Sequence, residues 1–204
     1  MEKDEQLSSE QSLAIIHQMI SQAKTNITDS GIHWLLWGMM LFLSSICTYF
    51  FIDNGASQTF LAWNIFGAIT IILLIYDAFK PSKKAAKTYV DDLMKMVDIA
   101  FFICIFVIIV SMNADAIYVS SGFGFFLMIF AFLMLVKGGA AKSRSLMVGA
   151  AVNWAAAIAV FIIKDLKSTM LIMAAAVLIG YIIPGFLLRS QYKRSMSQKN
   201  NPAL

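Results

Sequence analysis

The chain has 204 residues, of which 59% are apolar and 14% charged, and its mean hydropathy is +0.74. A soluble domain cannot hide so much apolar surface from water, whereas a lipid bilayer solvates it directly. The net charge of +4 could suit nucleic acid, but in so apolar a chain it indicates cations that hold the membrane topology and meet anionic lipid. The composition predicts one membrane domain, contact with membrane lipids and no nucleic-acid partner.

Residues 1–30 precede the first apolar stretch and are polar and mostly acidic. A cleaved signal peptide needs a basic start followed at once by an apolar core, so the first span is predicted to stay uncleaved. Within residues 8–28, apolar side chains recur every three or four positions. This period predicts an amphipathic cytoplasmic helix that begins with a Ser8–Gln11 capping box. Its apolar positions are Leu13, Ile16, Ile20, Ala23 and Ile27.

Six apolar stretches follow, and each meets or approaches the roughly 20 residues that a helix needs to cross the hydrocarbon core. Short polar turns after the first, third and fifth stretches predict three antiparallel hairpins in an all-α, polytopic membrane domain over residues 31–189. The third stretch is the shortest and is expected to borrow residues 93–96 from the preceding loop. The predicted transmembrane helices are residues 32–52, 59–79, 97–113, 116–136, 145–163 and 168–188.

The basic residues predict the orientation of these spans. Cytoplasmic loops keep more lysine and arginine, because moving positive charge across the membrane is disfavoured. With a cytoplasmic N-terminus, every basic residue except Lys164 and Lys167 lies on the inner side, including those of loop 80–96 and of the short basic tail 190–204. The sequence therefore predicts a multi-pass protein of the plasma (inner) membrane with both termini in the cytoplasm.

An aromatic cluster lies where the chain enters the first span. His33, Trp34 and Trp37 fall in the first turns of this span, at the headgroup depth that tryptophan prefers. Two interpretations are open: an interface anchor, which the pattern favours, or a pocket of rings and imidazole that holds a cation or a headgroup. Catalysis by His33 would need a carboxylate to orient it, and the nearby Asp29 is better explained as a helix cap.

No charged residue or histidine lies in the middle of any predicted span, and the polar residues found at depth are neutral. This argues against ion-coupled transport and proton relays, which place ionisable groups at depth. Counting about 1.5 Å per residue, Thr48 and Asn64 reach similar depths, and so do Thr70 and Asn153, which predicts a contact within each pair. Polar packing is the favoured role and a ligand contact the alternative. The candidate residues are Thr48, Asn64, Thr70, Asn153 and Trp154.

Pro184 and Gly185 are predicted to form a hinge near the end of the sixth span, because proline removes a backbone donor and frees the carbonyl near Gly180. A kink of this kind serves either a gate or packing alone. Cys47 and Cys104 are interpreted as small packing residues. With two histidines, two cysteines and none of the usual metal or nucleotide motifs, the sequence predicts no metal, no cofactor and no enzymatic activity.

Glu10, Ser12 and Leu13, followed by "LLWG" at residues 35–38, resemble a group of small, uncharacterised multispan inner-membrane proteins of bacteria. Members of that group begin with a short amphipathic segment before a tryptophan-rich first span. The resemblance covers residues 10–38 and implies a bacterial inner-membrane location. It carries over no activity and no site residue.

Two functions are compatible with these patterns. The favoured one is a noncatalytic membrane protein that binds or regulates a protein partner through its N-terminal helix and loop 80–96. Because residues 1–31 are acidic, that helix is expected to dock on protein, either its own bundle or a partner, and a homo-oligomer is compatible with this. The alternative is a small transporter or channel for a neutral or lipid-like solute. Its expected lining is Thr70, Asn153, Trp154 and the kink at Pro184.

Overall fold

The computed structural model describes residues 31–54, 59–79, 89–187 and 189–190, and these ranges are helical apart from short turns. The helices are α1 (Gly31–Phe51), α2 (Leu61–Phe79), α3 (Tyr89–Asn113), α4 (Val119–Ala140), α5 (Arg144–Ile163) and α6 (Leu166–Val177). A 3-10 turn (Ile52–Asn54) extends α1, and a π-helical turn (Leu178–Ile182) carries α6 into helical residues 183–187. The predicted all-α class is confirmed. The predicted helix 8–28, loop residues 80–88 and tail residues 191–204 lie outside the described residues.

Five of the described helices are long and apolar enough to cross a membrane, whereas α2 is not. The apolar stretch of α2, Leu61–Tyr76, is short because the helix begins two residues after the predicted span and Asp77 ends the apolar run. The structure thus supports five of the six predicted spans by length and composition. The five stretches are Trp34–Asn54, Asp92–Asn113, Val119–Ala140, Arg144–Ile163 and Leu166–Leu187.

The third predicted span gains its missing length on the side of loop 80–96. α3 begins at Tyr89, eight residues before the predicted start, and its apolar stretch begins at Asp92. At about 1.5 Å per residue, that stretch is long enough for the hydrocarbon core. Part of loop 80–96 is therefore a helical extension of the span.

Four helices form the core and two lie outside it. α4 packs most extensively against α5, and α1 packs along α6, while α2 contacts α1 and α3 contacts α4. Large apolar side chains on the two outer helices are exposed, such as Ile72 on α2 (64%) and Phe106 on α3 (66%). Such exposure is costly in water but costs little against lipid tails, which are as apolar as the side chains. The arrangement into three membrane hairpins stays a prediction.

The turns between helices use left-handed backbone and a capping carboxylate. Asp115, Lys142 and Lys164 have φ angles of 53°, 51° and 58°, a region in which non-glycine residues end helices and reverse the chain. Asp165 caps α6, because its carboxylate accepts a hydrogen bond from the Ser168 backbone N–H at 2.7 Å. This bond holds the pKa of Asp165 below its usual value.

Candidate functional site

A charged and aromatic cluster joins three helices at one end of the bundle, termed the Lys137 end. The Lys137 ammonium lies 2.6 Å from an oxygen of Asp98 on α3 and 6.0 Å from the centre of the Trp34 ring on α1. Lys137 is in the last turn of α4, where the helix carbonyls favour a cation. The side chains of Lys137 and Asp98 are 27% and 39% exposed, so a molecule outside the bundle can contact both charged groups.

A column of aromatic rings continues this cluster into the bundle. Trp34 packs on Tyr181, in the π-helical turn that continues α6, with ring centres 5.1 Å apart, and Tyr181 meets Phe130 of α4 at 5.8 Å. Phe130 in turn contacts Phe101 of α3 at 5.3 Å. Offset and edge-on ring contacts of this kind add roughly 0.5–1.5 kcal/mol each beyond the area they bury. The column therefore fixes four helices relative to one another beneath the charged pair.

The structure places the aromatic residues of the first span in two different settings. Trp34 is a core residue, 8% exposed, and the cation above its ring is a lysine of the same chain. Trp37 is half-buried and meets the edge of Phe66 on α2 at 5.6 Å. His33 lies in the first turn of α1, but its side chain is outside the described side chains. The anchor and pocket interpretations of these three residues both stay predictions.

An apolar groove of about 610 Å³ opens beside the charged cluster. Its floor includes Trp154 of α5, one of the predicted site residues, and its walls come from α3 and α4. The volume falls within the roughly 300–1,000 Å³ of typical ligand sites. The lining residues are Met96, Val97, Ala100, Phe101, Cys104, Met128, Ile129, Phe132, Leu133 and Trp154.

Asn153 lies at a close contact between α5 and the π-helical turn that follows α6. Its side chain is fully buried and donates to the Gly149 carbonyl at 2.8 Å, and it approaches the Met134 sulfur at 3.6 Å. A Cβ atom on Gly149 or Gly180 would overlap atoms of the facing helix, so both glycines are needed for this approach. The Asn153 carbonyl oxygen has no hydrogen-bond partner among the described residues. This placement is that of a packing group rather than of a residue that lines an open path.

The two predicted polar pairings are wrong. Among the described residues the Thr48 hydroxyl is buried without a hydrogen-bond partner, while Asn64 is exposed. Thr70 donates to the Phe66 carbonyl of its own helix at 2.8 Å, as Asn153 does to Gly149 of its own. Equal depth does not make two side chains face each other, because each helix can be rotated about its axis.

A different polar contact joins α1 to α2. The Ser44 hydroxyl donates to the Ala62 carbonyl at 3.4 Å, and Ser45 is fully buried and donates to Leu41 within its own helix at 2.8 Å. The small Ser44 side chain thus lets α2 approach α1, and both serine hydroxyls donate to backbone carbonyls. The spacing of Ser44, Ser45 and Thr48 on one side of the span could have indicated this face.

A π-helical turn lies just before the predicted hinge. Leu178–Ile182 is π-helical and ends two residues before Pro184, and the intervening Ile183 donates its N–H to the Leu178 carbonyl. Pro184 has no N–H to donate to the Gly180 carbonyl. The wider π-helical turn lets neighbouring backbone N–H groups, such as that of Ile183, find carbonyl partners five residues back. Pro184 and Gly185 are buried, and a Cβ on Gly185 would come within 3.0 Å of Leu35 on α1. The turn therefore packs against α1, and its service as a hinge stays a prediction.

A second charged pair lies at the other end of the bundle, termed the Lys167 end. The Lys167 ammonium is 2.8 Å from an oxygen of Asp53 and 5.3 Å from the centre of the Tyr49 ring. Lys164 and Lys167 are the two basic residues that break the predicted charge pattern. Lys167 has an acidic partner, Asp53, within the chain.

Neither the Asp98–Lys137 pair nor the groove was anticipated from the sequence. In the sequence, Asp98 lies near the start of the third predicted span, where a helix favours an acid, and Lys137 follows the end of the fourth, where a cation indicates topology. The sequence places both residues at the same end of the bundle and gives them opposite charges, and these two facts could have indicated that they meet. Among the described residues, no group of three or more histidine, cysteine, aspartate or glutamate side chains is placed to hold a metal ion.

Comparison with known proteins does not assign this site to a family. No protein family, no curated protein and no solved structure matches the chain. The resemblance of residues 10–38 to small bacterial inner-membrane proteins therefore stays a prediction.

Proposed function

We propose that this chain is a noncatalytic integral protein of the bacterial inner membrane that binds a protein partner at its cytoplasmic face. The observation that carries the proposal is the exposed start of α3. There Leu93 and Met96 are 47% and 65% exposed and stand beside the exposed charges of Asp92 and Lys95. These residues lie in the first turns of the apolar stretch Asp92–Asn113, and a mixed apolar and charged helix surface at the end of a span is a typical site for binding another helix.

The chain direction supports six spans. α1 starts near Lys137, with Trp34, and reaches the Lys167 end at Asp53, while α3 starts again near Lys137, with Asp98. The chain must return between them, and α2 is the helix that can make this crossing. A short span is accommodated by local thinning of the bilayer.

The described cations are distributed as a cytoplasmic Lys137 end requires. The Lys137 end carries Lys95, Lys137, Lys142, Arg144 and Arg189, whereas the Lys167 end carries Lys164 and Lys167. An excess of basic residues beside the spans favours the cytoplasmic side. The predicted amphipathic helix 8–28 and loop 80–96 would then flank the exposed start of α3 and complete the partner-binding surface.

The solute pathway is supported less. Thr70 and Asn153 satisfy their own helices, and Pro184 is buried against α1. Trp154 lines a groove whose walls include none of those three residues. The four predicted lining residues are therefore not brought together into one path.

Photo-crosslinking in native membranes tests the partner-binding proposal. A photoreactive amino acid at Leu93 should form adducts with a second protein, and the same amino acid at Phe106, exposed further along α3, should label lipid. Deleting residues 1–28 should lower the protein adduct at Leu93. Adducts of Leu93 with lipid alone, together with no effect of the deletion, would contradict the proposal.

The orientation is tested separately with a thiol reagent that does not cross membranes. In a background with Cys47→Ser and Cys104→Ser, Ala114→Cys should be labelled from the periplasmic side and Ser143→Cys only after the membrane is opened. The reverse pattern would place the Lys137 end outside and remove the proposed cytoplasmic surface.

A further inference from the structure

We infer that the groove between α3, α4 and α5 binds one acyl chain of a phospholipid whose headgroup carries both a phosphate and a primary ammonium, as in phosphatidylethanolamine. The headgroup meets the Asp98–Lys137 pair, and the acyl chain lies along the groove below it. The inference goes beyond partner binding and does not depend on it: the lipid site and the partner-binding surface share Met96 and Lys95 at the start of α3, but the remaining groove residues belong to the groove alone.

The charged pair lies at the outer end of the groove, with Lys137 beyond the lining residues of α4 and Asp98 among the first lining residues of α3. On α4, Lys137 is one turn beyond Leu133, which lines the groove, and on α3 Asp98 follows the lining residue Val97. Residues three or four apart share a helix face. Lys137 therefore lies on the groove side of α4, one turn beyond Leu133, and Asp98 lies on the groove side of α3, three residues before Phe101. The groove thus begins at a pair of opposite charges.

The length of the groove fits one leaflet. From Lys137 back to Met128 there are nine residues, which cover about 13–14 Å of helix. The hydrocarbon of one leaflet is about 15 Å deep. Beyond the groove, α3 and α4 close on each other, because Ile108 is 8% exposed and Met112 leaves no room for a Cβ on Gly122. A partner's transmembrane helix would need a face along the whole span, whereas an acyl chain needs half of it.

The two signs of charge select the headgroup. Lys137 can meet a lipid phosphate, and the exposed Lys95, three residues before Asp98, places a second cation nearby. Asp98 would repel a phosphate that has no accompanying cation, but it accepts hydrogen bonds from a primary ammonium, which has three donors. A quaternary choline lacks these donors, and phosphatidylglycerol lacks the positive charge. The Trp34 ring beneath Lys137 holds its ammonium at the mouth of the groove.

A photoreactive lipid tests the inference on the full chain. The purified protein is placed in phosphatidylglycerol vesicles with a small fraction of phosphatidylethanolamine that carries a diazirine in its acyl chain. After illumination, the label should map by mass spectrometry to residues 96–104 and 128–133. Unlabelled phosphatidylethanolamine that replaces part of the bulk phosphatidylglycerol should reduce the label at about three- to five-fold lower amounts than phosphatidylcholine that replaces it in the same way, as expected for a partly exposed ion pair.

Two kinds of variant separate the chain site from the headgroup site. Ala100→Phe fills the groove from an exposed wall position and should lower the label about five-fold, while Ala155→Phe, exposed on α5 outside the groove, should not. Asp98→Asn should remove the preference for phosphatidylethanolamine and leave the acyl label in place. Helical circular dichroism and elution as a single species show that each variant is folded.

Four results would overturn the inference. The label could spread evenly over exposed faces such as those of Ile72 and Phe106, phosphatidylethanolamine and phosphatidylcholine could compete equally, or Ala100→Phe could label as well as Ala155→Phe. The fourth is disulfide formation between the Cys104 thiols of two copies in the same vesicles, in the Cys47→Ser background, since Cys104 lines the groove and is exposed. That result would assign the groove to a second copy of the chain.

Discussion

The two ends of the bundle carry the same three kinds of side chain but use them differently. At the Lys137 end, Asp98, Lys137 and Trp34 come from three helices, and the carboxylate and ammonium side chains are 39% and 27% exposed. At the Lys167 end, the corresponding exposures of Asp53 and Lys167 are 68% and 38%. The aromatic ring and the carboxylate of that second cluster also belong to the same stretch of chain, α1 and its 3-10 turn.

The comparison shows how the surroundings decide what an ion pair does. An exposed pair competes with water and contributes little to stability. A pair that joins separate helices at the mouth of an apolar groove is less hydrated, and it can exchange its internal partner for a ligand of matching charge. The Lys137 end therefore has the features of a site, and the Lys167 end those of a clamp between α1 and α6.

The largest difference is expected from the aromatic rings. Trp34→Ala should lower the free energy of unfolding by about 3 kcal/mol, because it leaves a cavity among Tyr181, Lys137 and the core. Tyr49→Ala, on the same helix at a half-buried position, should cost clearly less. The measurement is unfolding of the detergent-solubilised chain by a denaturing detergent, followed by circular dichroism. Equal losses would show that the two ends are packed alike.

The second-largest difference in unfolding free energy is expected between substitutions of the two lysines, Lys137 and Lys167. Lys137→Ala leaves Asp98 without its ammonium partner and removes the cation above Trp34, and we expect a loss of about 1 kcal/mol. Lys167→Ala should have a smaller effect, because its partner Asp53 is well exposed. Lys95→Ala, at an exposed position on α3, is the control for loss of a surface charge. A larger effect at Lys167 than at Lys137 would reverse the assignment of site and clamp.

A double-mutant cycle at each end isolates the pairs themselves. The coupling between Asp98→Asn and Lys137→Gln should be about 0.5–1 kcal/mol in unfolding free energy. The same cycle for Asp53 and Lys167 should give a smaller coupling that disappears when salt is raised, since exposed charges are screened. If both couplings respond to salt alike, the pair at the Lys137 end is no less hydrated than the other.

The helices were the part of this molecule that the sequence could predict. Long apolar runs set α1 and α3 to α6 almost directly, because a span needs a length and a composition but no particular partner. α2 shows the limit of that rule, since its apolar run stops at Tyr76. The way the helices pack, with α4 most extensively on α5, depends on helix rotation and shape, which the sequence does not state.

The site was less predictable for the same reason. Trp154 and Asn153 are neighbours on α5, yet one lines the groove and the other is buried against α6. Depth counting placed Thr48 opposite Asn64, but a hydrogen bond needs the side chains to face each other, and they do not. Asp98 and Lys137 meet because α3 packs on α4, a contact between helices that periodicity alone does not reveal.

The smallest effect is expected at Asp165, which caps α6 beside the Lys167 clamp. Its pKa is lowered because the Ser168 N–H donates to its carboxylate. The stabilisation is therefore complete above the unfolded pKa of about 3.9 and is lost as pH falls through the lower pKa of the folded state. At pH 7, Asp165→Ala should lower the melting temperature by at most a few degrees, and Asp165→Asn, which retains a capping oxygen, by less.

The pH dependence separates the charge from the cap. The difference in melting temperature between the wild type and Asp165→Ala should shrink as pH falls from 5 toward 3, because the unfolded chain then takes up a proton at Asp165 before the folded chain, in which the pKa of Asp165 is lower, does so. Asp165→Asn, which does not titrate, should show a constant difference from Asp165→Ala over that range. A wild-type advantage that persists unchanged at pH 3 would mean that the ionised carboxylate is not what stabilises the start of α6, and the Lys167 end would then owe its stability to packing.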